Sequence, residues 1–158
     1  SGSGKTSLLM LMSCLEKPTT GSIFFNNEDL SEMSEKKKTE IRKSKIGLIF
    51  QQFYLIPNYT AIENVMFPMQ INKIKNERKK ATSILSEIGL DHRKNNLPSE
   101  LSGGEQQRVA IARAISFDPE IILADEPTGN LDVKNTELVS NLLLDYSKKK
   151  KISLILVN

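Results

Sequence analysis

Leu101-Ser102-Gly103-Gly104-Glu105 reads as a helix start: Ser102 and Glu105 stand at capping-box spacing, in which the hydroxyl accepts from the backbone three residues on and the carboxylate reaches back. Apolar positions from Val109 through Ile115 supply the helix body, and first-turn amides, which no carbonyl of a helix can reach, point outward. Pro119 then precedes Ile121-Ile122-Leu123-Ala124, a run apolar on both faces as a buried parallel strand requires, and Asp125-Glu126 closes it. A capped helix followed by a parallel strand with an acidic end predicts an α/β domain, whose ligands bind at the carboxyl ends of the strands.

The same alternation extends in both directions. Downstream, Leu138, Leu142 and Tyr146 mark a helix, and Ile152 to Val157 is another buried strand. Upstream, Ile46-Gly47-Leu48-Ile49-Phe50 is a buried strand ending at Gln51 and Gln52. Between them lies a helical block, approximately 53–98, expected as a subdomain inserted in one domain that covers 1–158. Thr60 and Glu63 repeat the capping-box spacing there, and Ala81, Ile84, Leu85 and Ile88 line one helix face that Gly89 stops. Near the start, Leu8, Leu9, Leu11, Met12 and Leu15 suit a helix buried against a sheet, ended by Pro18 and Gly21. A short strand, Ile23-Phe24-Phe25, and a polar segment from Asn26 to Lys45 follow.

Composition narrows the function classes. At 158 residues and 39% hydrophobic the chain can bury one continuous core. A net charge of +3 with 26% charged residues is not that of a polyelectrolyte, so no nucleic-acid partner is expected. The runs Lys36-Lys37-Lys38 and Lys148 to Lys151 read as solvated helix faces and helix C-termini. One cysteine, Cys14 among Met10, Leu11, Met12 and Leu15, excludes an intrachain disulfide, reads as a buried thiol and suits a reducing compartment. No run approaches the roughly 18–20 apolar residues that span a bilayer, and the first residues do not have the pattern of a signal peptide, so a membrane role must come through a partner.

Ser1-Gly2-Ser3-Gly4-Lys5-Thr6 fits the last six positions of G-x-x-x-x-G-K-[ST], the loop whose amides cradle phosphates at a helix N-terminus. The leading glycine would precede Ser1, so the chain is expected to be an internal stretch of a longer protein. Lys5 supplies charge at the β- and γ-phosphates of ATP, the Thr6 hydroxyl is the expected ligand to Mg²⁺, and Ser7 joins the phosphate-binding set. At the acidic strand end, Asp125 is placed to hold the Mg²⁺, usually through water. Glu126 is placed to polarise the water that attacks the γ-phosphorus, an effect worth typically about 10²–10⁴-fold. Gln51 is a neutral amide able to ligate Mg²⁺ or orient water; Gln52 is the alternative, less well placed because Gln51 directly follows the apolar run.

Together these segments resemble an ABC ATPase, a P-loop NTPase with a RecA-like core of mostly parallel sheet plus a helical subdomain, over essentially the whole chain. The wording of residues 46–53, Thr60-Ala61-Ile62-Glu63-Asn64-Val65 and Ala124-Asp125-Glu126-Pro127-Thr128-Gly129-Asn130-Leu131-Asp132 resembles the MacB/LolD/FtsE-type subgroup of ATP-binding subunits. The resemblance implies an ATPase in a head-to-tail dimer, a homodimer or a pair of ATPase subunits. In it Ser102, Gly103 and Gly104 touch the γ-phosphate held by the other copy's phosphate loop, and Asp132 contacts the opposite subunit. It also implies an integral membrane permease of FtsX/MacB type met by the helical block. The subunit would be cytoplasmic, on the inner face of the membrane, and would couple ATP hydrolysis to export of lipoproteins, macrolides or antimicrobial peptides. The alternative is FtsE-like signalling to cell-wall hydrolases without transport. A nucleic-acid machine sharing the signature is disfavoured by the short, heptad-free interval between Gln51 and Leu101. The adenine-stacking aromatic and the strand-end histidine of the family would fall before Ser1 and after Asn158, so this stretch alone is expected to hydrolyse ATP poorly. His92, the one histidine, matches no motif position and reads as a surface residue.

Overall fold

In the computed structural model, which describes residues 4–157, a parallel sheet runs in the order β3 (Ile46–Ile49), β4 (Ile121–Asp125), β5 (Ser153–Val157). The register pairs Ile46 with Ile121 and Ile49 with Ala124, so Gln51 and Glu126 each lie two residues beyond the last rung, at the same carboxyl edge. In β4, Ile122, Leu123 and Ala124 are buried, because helices cover both faces of the sheet.

One face is covered by α1 (Lys5–Met12), whose Leu9 packs with Ile46 and Leu123. The helix stops sooner than Pro18 and Gly21 suggested. Cys14 turns into the left-handed region (φ 58°), and the amides of Leu15 and Glu16 both donate to the Met10 carbonyl, closing the last turn. Cys14 is buried, as its neighbours implied. On the other face α5 (Gly103–Ile115) and α6 (Val133–Lys150) bury Ile111, Ala114, Ile115, Val139 and Leu143 against Ile49, Ile122 and Ala124. The stripe of α6 is thus Val139 and Leu143 with half-buried Leu142 and Tyr146, whereas Leu138 is exposed. Close approach of α5 explains Gly47: a Cβ there would sit 2.7 Å from the Ala114 carbonyl oxygen and 3.2 Å from the Pro119 ring, both hard to move.

A separate apolar cluster joins α3 (Ala61–Ile71), α4 (Glu77–Glu87) and the first half of α5 through Ile62, Val65, Met69, Leu85, Leu90 and Val109. The Thr60–Glu63 capping box opens α3, with the Thr60 amide donating to Glu63 at 2.8 Å. Gly89 follows α4 at φ 74°. Buried Asn64 donates to the carbonyls of Ile56, Tyr59 and Thr60 and accepts from the Ile56 amide, which fixes the loop leaving Gln52.

The polar segment contains an antiparallel ribbon, β1 (Phe24–Phe25) with β2 (Glu28–Asp29), and the Ser34-capped α2 (Glu35–Lys45). Lys36 and Lys37 are solvated as expected; Lys38 is buried and paired to Glu35 at 3.1 Å, its aliphatic stem covering apolar surface. In β5, Ser153 and Leu156 are exposed, since among the described residues this strand is a sheet edge rather than the buried strand expected. No helix among the described residues is long and apolar enough to cross a membrane.

Candidate active site

At the carboxyl edge the chain reverses at Glu126, which adopts the left-handed conformation (φ 43°). Its amide donates to the Val157 carbonyl at 2.8 Å and its carbonyl accepts from the Gly129 amide at 3.0 Å, so bonds on both sides hold a geometry that costs on the order of 1–3 kcal/mol for a non-glycine residue. The turn brings Glu126 to Gln51. A Cβ on Gly129 would lie 2.8 Å from Gln51 Nε2 and 3.3 Å from Glu126 Oε2, so both side chains converge over a residue with no side chain of its own. Gln51 Nε2 donates to Asn130 Oδ1 at 3.3 Å, and Asn130 Nδ2 donates back to the Gln51 carbonyl at 3.2 Å. Gln51 is thus the glutamine that faces this turn, while Gln52 is exposed.

Asp125, one residue earlier, has a buried Oδ1 with no hydrogen-bond partner among the described residues. A carboxylate oxygen left this way carries an uncompensated desolvation cost, which a cation or an ordered water would relieve. That donor suits a hard, oxygen-seeking divalent ion held by one or two protein oxygens and waters. Among the described residues no group of three His, Cys, Asp or Glu is gathered into a cage of its own.

The signature stretch forms as its spacing predicts. Ser102 caps α5, the Glu105 amide donating to Ser102 Oγ at 3.3 Å and the Ser102 amide to Glu105 Oε2 at 2.8 Å. Ser102 and Gly103 are exposed, while Gly104 is buried because the Asn135 side chain occupies the volume a Cβ would need. Asn135 also links two elements: it accepts from Arg108 at 2.9 Å and donates through Nδ2 to Asp132 at 2.6 Å. Asp132 is exposed and caps α6 by accepting from the Asn135 amide at 3.0 Å, so part of its carboxylate is engaged within its own chain.

The Ser102 amide, followed by the nearby Arg93, holds the Glu105 carboxyl below its ordinary value of 4.5. A carboxyl depressed by folding stabilises the fold above its unfolded pKa, and that contribution is lost as pH falls through the folded value. Glu105→Gln keeps an acceptor without the titration. We therefore expect wild type to be the more stable at about pH 7 and the gap to narrow as pH falls below 4.5, read from urea midpoints. A gap that does not change with pH would remove the carboxylate as its cause.

At the phosphate loop, Gly4 precedes α1 in the left-handed conformation (φ 76°), and the Leu8 amide donates to its carbonyl at 2.9 Å. Lys5, Thr6 and Ser7 form the exposed first turn of α1. Ser1, Gly2 and Ser3 lie outside the described residues. His92 is exposed in the helical block, away from the strand ends.

Sequence reasoning missed three residues here. Gln107 is fully buried and its Nε2 donates to Pro127 at 2.6 Å and Phe50 at 3.4 Å, joining the two loops that carry Glu126 and Gln51. Arg113 donates to the carbonyls of Tyr54 at 2.5 Å and Phe53 at 3.0 Å, and burial lowers its pKa. Asn130 is the third. A signal existed for Gln107 alone: it shares the i, i+3, i+4, i+7 stripe of Ala110, Ile111 and Ala114, where an amide is out of place.

The sequence profile of the family described as ABC transporter matches residues 1–129. The chain is 45% identical to the lipoprotein-releasing system ATP-binding protein LolD of Geobacter metallireducens, with 99% of this chain and 71% of that protein covered. Among solved structures it resembles the ATP-binding cassette MJ0796 as a dimer in a post-hydrolysis state bound to ADP and Pi, with a TM-score of 0.89, 41% identity, and 99% and 70% of the two chains covered. A second dimeric structure of the same bacterial cassette superposes with a TM-score of 0.88. Motif order, the shared carboxyl edge and these likenesses agree: the chain belongs to the ABC transporter family, as an ATP-binding subunit that hydrolyses ATP.

Proposed function

We propose that this subunit drives a lipoprotein-releasing type of transporter, with ATP bound between the phosphate loop of one copy and the signature turn of another. The convergence of Gln51 and Glu126 over Gly129, beside the unpartnered Asp125 Oδ1, is the observation that carries this reading. Ser1, Gly2, Ser3, Gly4, Lys5, Thr6 and Ser7 bind the triphosphate through loop and first-turn amides and the Lys5 charge. Thr6, Asp125 and Gln51 are the oxygen donors for Mg²⁺, which when bound neutralises charge on the β- and γ-phosphates. Glu126 takes the proton of the attacking water as general base, and Gln51, held by Asn130, orients that water. The turn at Ser102, Gly103 and Gly104 lies at the positive end of a helix dipole; the Ser102 amide is taken by Glu105 of the same chain, while Gly103 is exposed there. A partner's γ-phosphate completes it, and exposed Asp132 lies against the partner.

The dimeric forms of the similar cassette support the pairing, and the LolD likeness supports transport over wall-hydrolase signalling. Residues 53–98, whose apolar side chains pack with Leu101, Val109 and Ala112 in one cluster, form the subdomain that meets a permease of FtsX/MacB type on the inner face of the membrane. Affinity capture of the intact subunit from detergent-solubilised membranes, with mass identification of what accompanies it, tests the partner. We expect an integral membrane permease in stoichiometric amount. Recovery of the subunit alone from those membranes would reject this assignment.

A further inference from the structure

We propose that Gln107 is a positioning residue that couples the two half-sites of one chain: the signature turn, which faces a partner's nucleotide, and the Gln51–Glu126 pair, which faces its own. This rests on the head-to-tail reading above. The ladder between β3 and β4 ends at Ile49 and Ala124, so the loops beyond it are no longer paired to each other by backbone. Behind them stands one fully buried amide. Its Nε2 donates to Pro127, the residue after Glu126, and to Phe50, the residue before Gln51. From the front, Gln51 and Asn130 hold the same two loops together by their reciprocal pair.

Gln107 lies five residues into α5 from Ser102, about 7.5 Å along the axis, and a capped, hydrogen-bonded helix moves as a unit over that length. A displacement of the signature turn is therefore delivered to the Pro127 and Phe50 carbonyls. Packing alone does not account for an amide here. Oε1 is buried with no partner among the described residues, a cost that Met, of similar length and volume, would avoid. The residue keeps its donor at the expense of an orphaned acceptor, and the donor's targets flank the reacting groups.

The test is steady-state ATP hydrolysis by the intact subunit carrying Gln107→Met, read as kcat, KM and Hill coefficient, beside nucleotide affinity of the monomer. We expect kcat to fall about tenfold and the Hill coefficient to drop toward one, with monomer affinity for ATP unchanged. Gln107→His, which retains a ring N–H donor, should recover part of both and serves if the Met variant does not fold. Val109→Ala, buried two residues away, should lower stability and leave kcat and Hill coefficient alone, separating loss of packing from loss of coupling. Wild-type kcat and Hill coefficient in Gln107→Met overturn the inference, as does a wild-type Hill coefficient of one. If Ser102→Arg still dimerises on ATP, the head-to-tail reading fails first and the coupling with it; if Ser102→Arg is blocked while Gln107→Met is unaffected, only the coupling fails.

Discussion

Glu126→Gln is expected to cut ATP turnover by about 10²–10⁴-fold while leaving nucleotide binding intact. The amide matches the carboxylate in size, so the convergence with Gln51 over Gly129 persists, and what disappears is the ability to accept a proton from the attacking water. The left-handed backbone at Glu126 is held by Val157 on one side and Gly129 on the other, neither of which involves the side chain, so the turn should survive the substitution. If ATP joins two copies as proposed and hydrolysis releases them, the two steps then separate: the variant should accumulate as an ATP-loaded dimer. Phosphate release and size-exclusion chromatography with and without ATP measure the two halves. An unchanged rate removes Glu126 from the chemistry, and a slow enzyme that stays monomeric with ATP separates the base from the closure mechanism.

Where local residue types determined local structure, the sequence was readable. Capping boxes at Thr60 and Ser102 formed with both bonds in place, because each is a four-residue device needing no tertiary help. Strands β3 and β4 were legible because they are apolar on both faces, and the two acidic residues and Gln51 followed at their ends. The end of α1 was misplaced, since the left-handed turn at Cys14 uses a residue type that does not announce it, as Gly21 would. The spacing of Leu138, Leu142 and Tyr146 marked α6 but not its buried face, which is Val139 and Leu143; only packing against α5 and the sheet fixes that angle.

The long-range polar connections were the least readable. Arg113 binding the Phe53 and Tyr54 carbonyls spans about 60 residues of sequence, and Gln107 reaches 57 residues back to Phe50. Neither separation follows from helical or strand period. Such bonds depend on where a loop passes, and loops are placed by the elements they join rather than by their own composition. Lys38 belongs to the same class: a lysine in a run of three reads as solvated until α2 is laid against the turn at Cys14.

Ser102→Arg is expected to abolish ATP-induced dimerisation while leaving ATP affinity of the monomer unchanged. Two effects of the substitution must be kept apart. Removing the Ser102 hydroxyl takes away the acceptor for the Glu105 amide, a loss of about 1 kcal/mol of helix stability that Ser102→Ala shares. Only the arginine adds a long, charged side chain to an exposed turn, next to Gly103, which is itself exposed. In a two-fold pair of copies the obstruction occurs twice. At roughly 2–5 kcal/mol for each disrupted buried polar contact, the sum is about 4 kcal/mol or more, which is on the order of a thousandfold in the dimer dissociation constant. Ser102→Ala should therefore dimerise nearly as wild type and Ser102→Arg not at all, in a Glu126→Gln background that removes hydrolysis from the measurement. Monomer affinity is the internal control, because the phosphate loop at Lys5 and the turn at Ser102 serve different nucleotides. If both variants dimerise equally with ATP, the signature turn does not meet the partner's phosphate, and the exposed amides of α5 need another explanation.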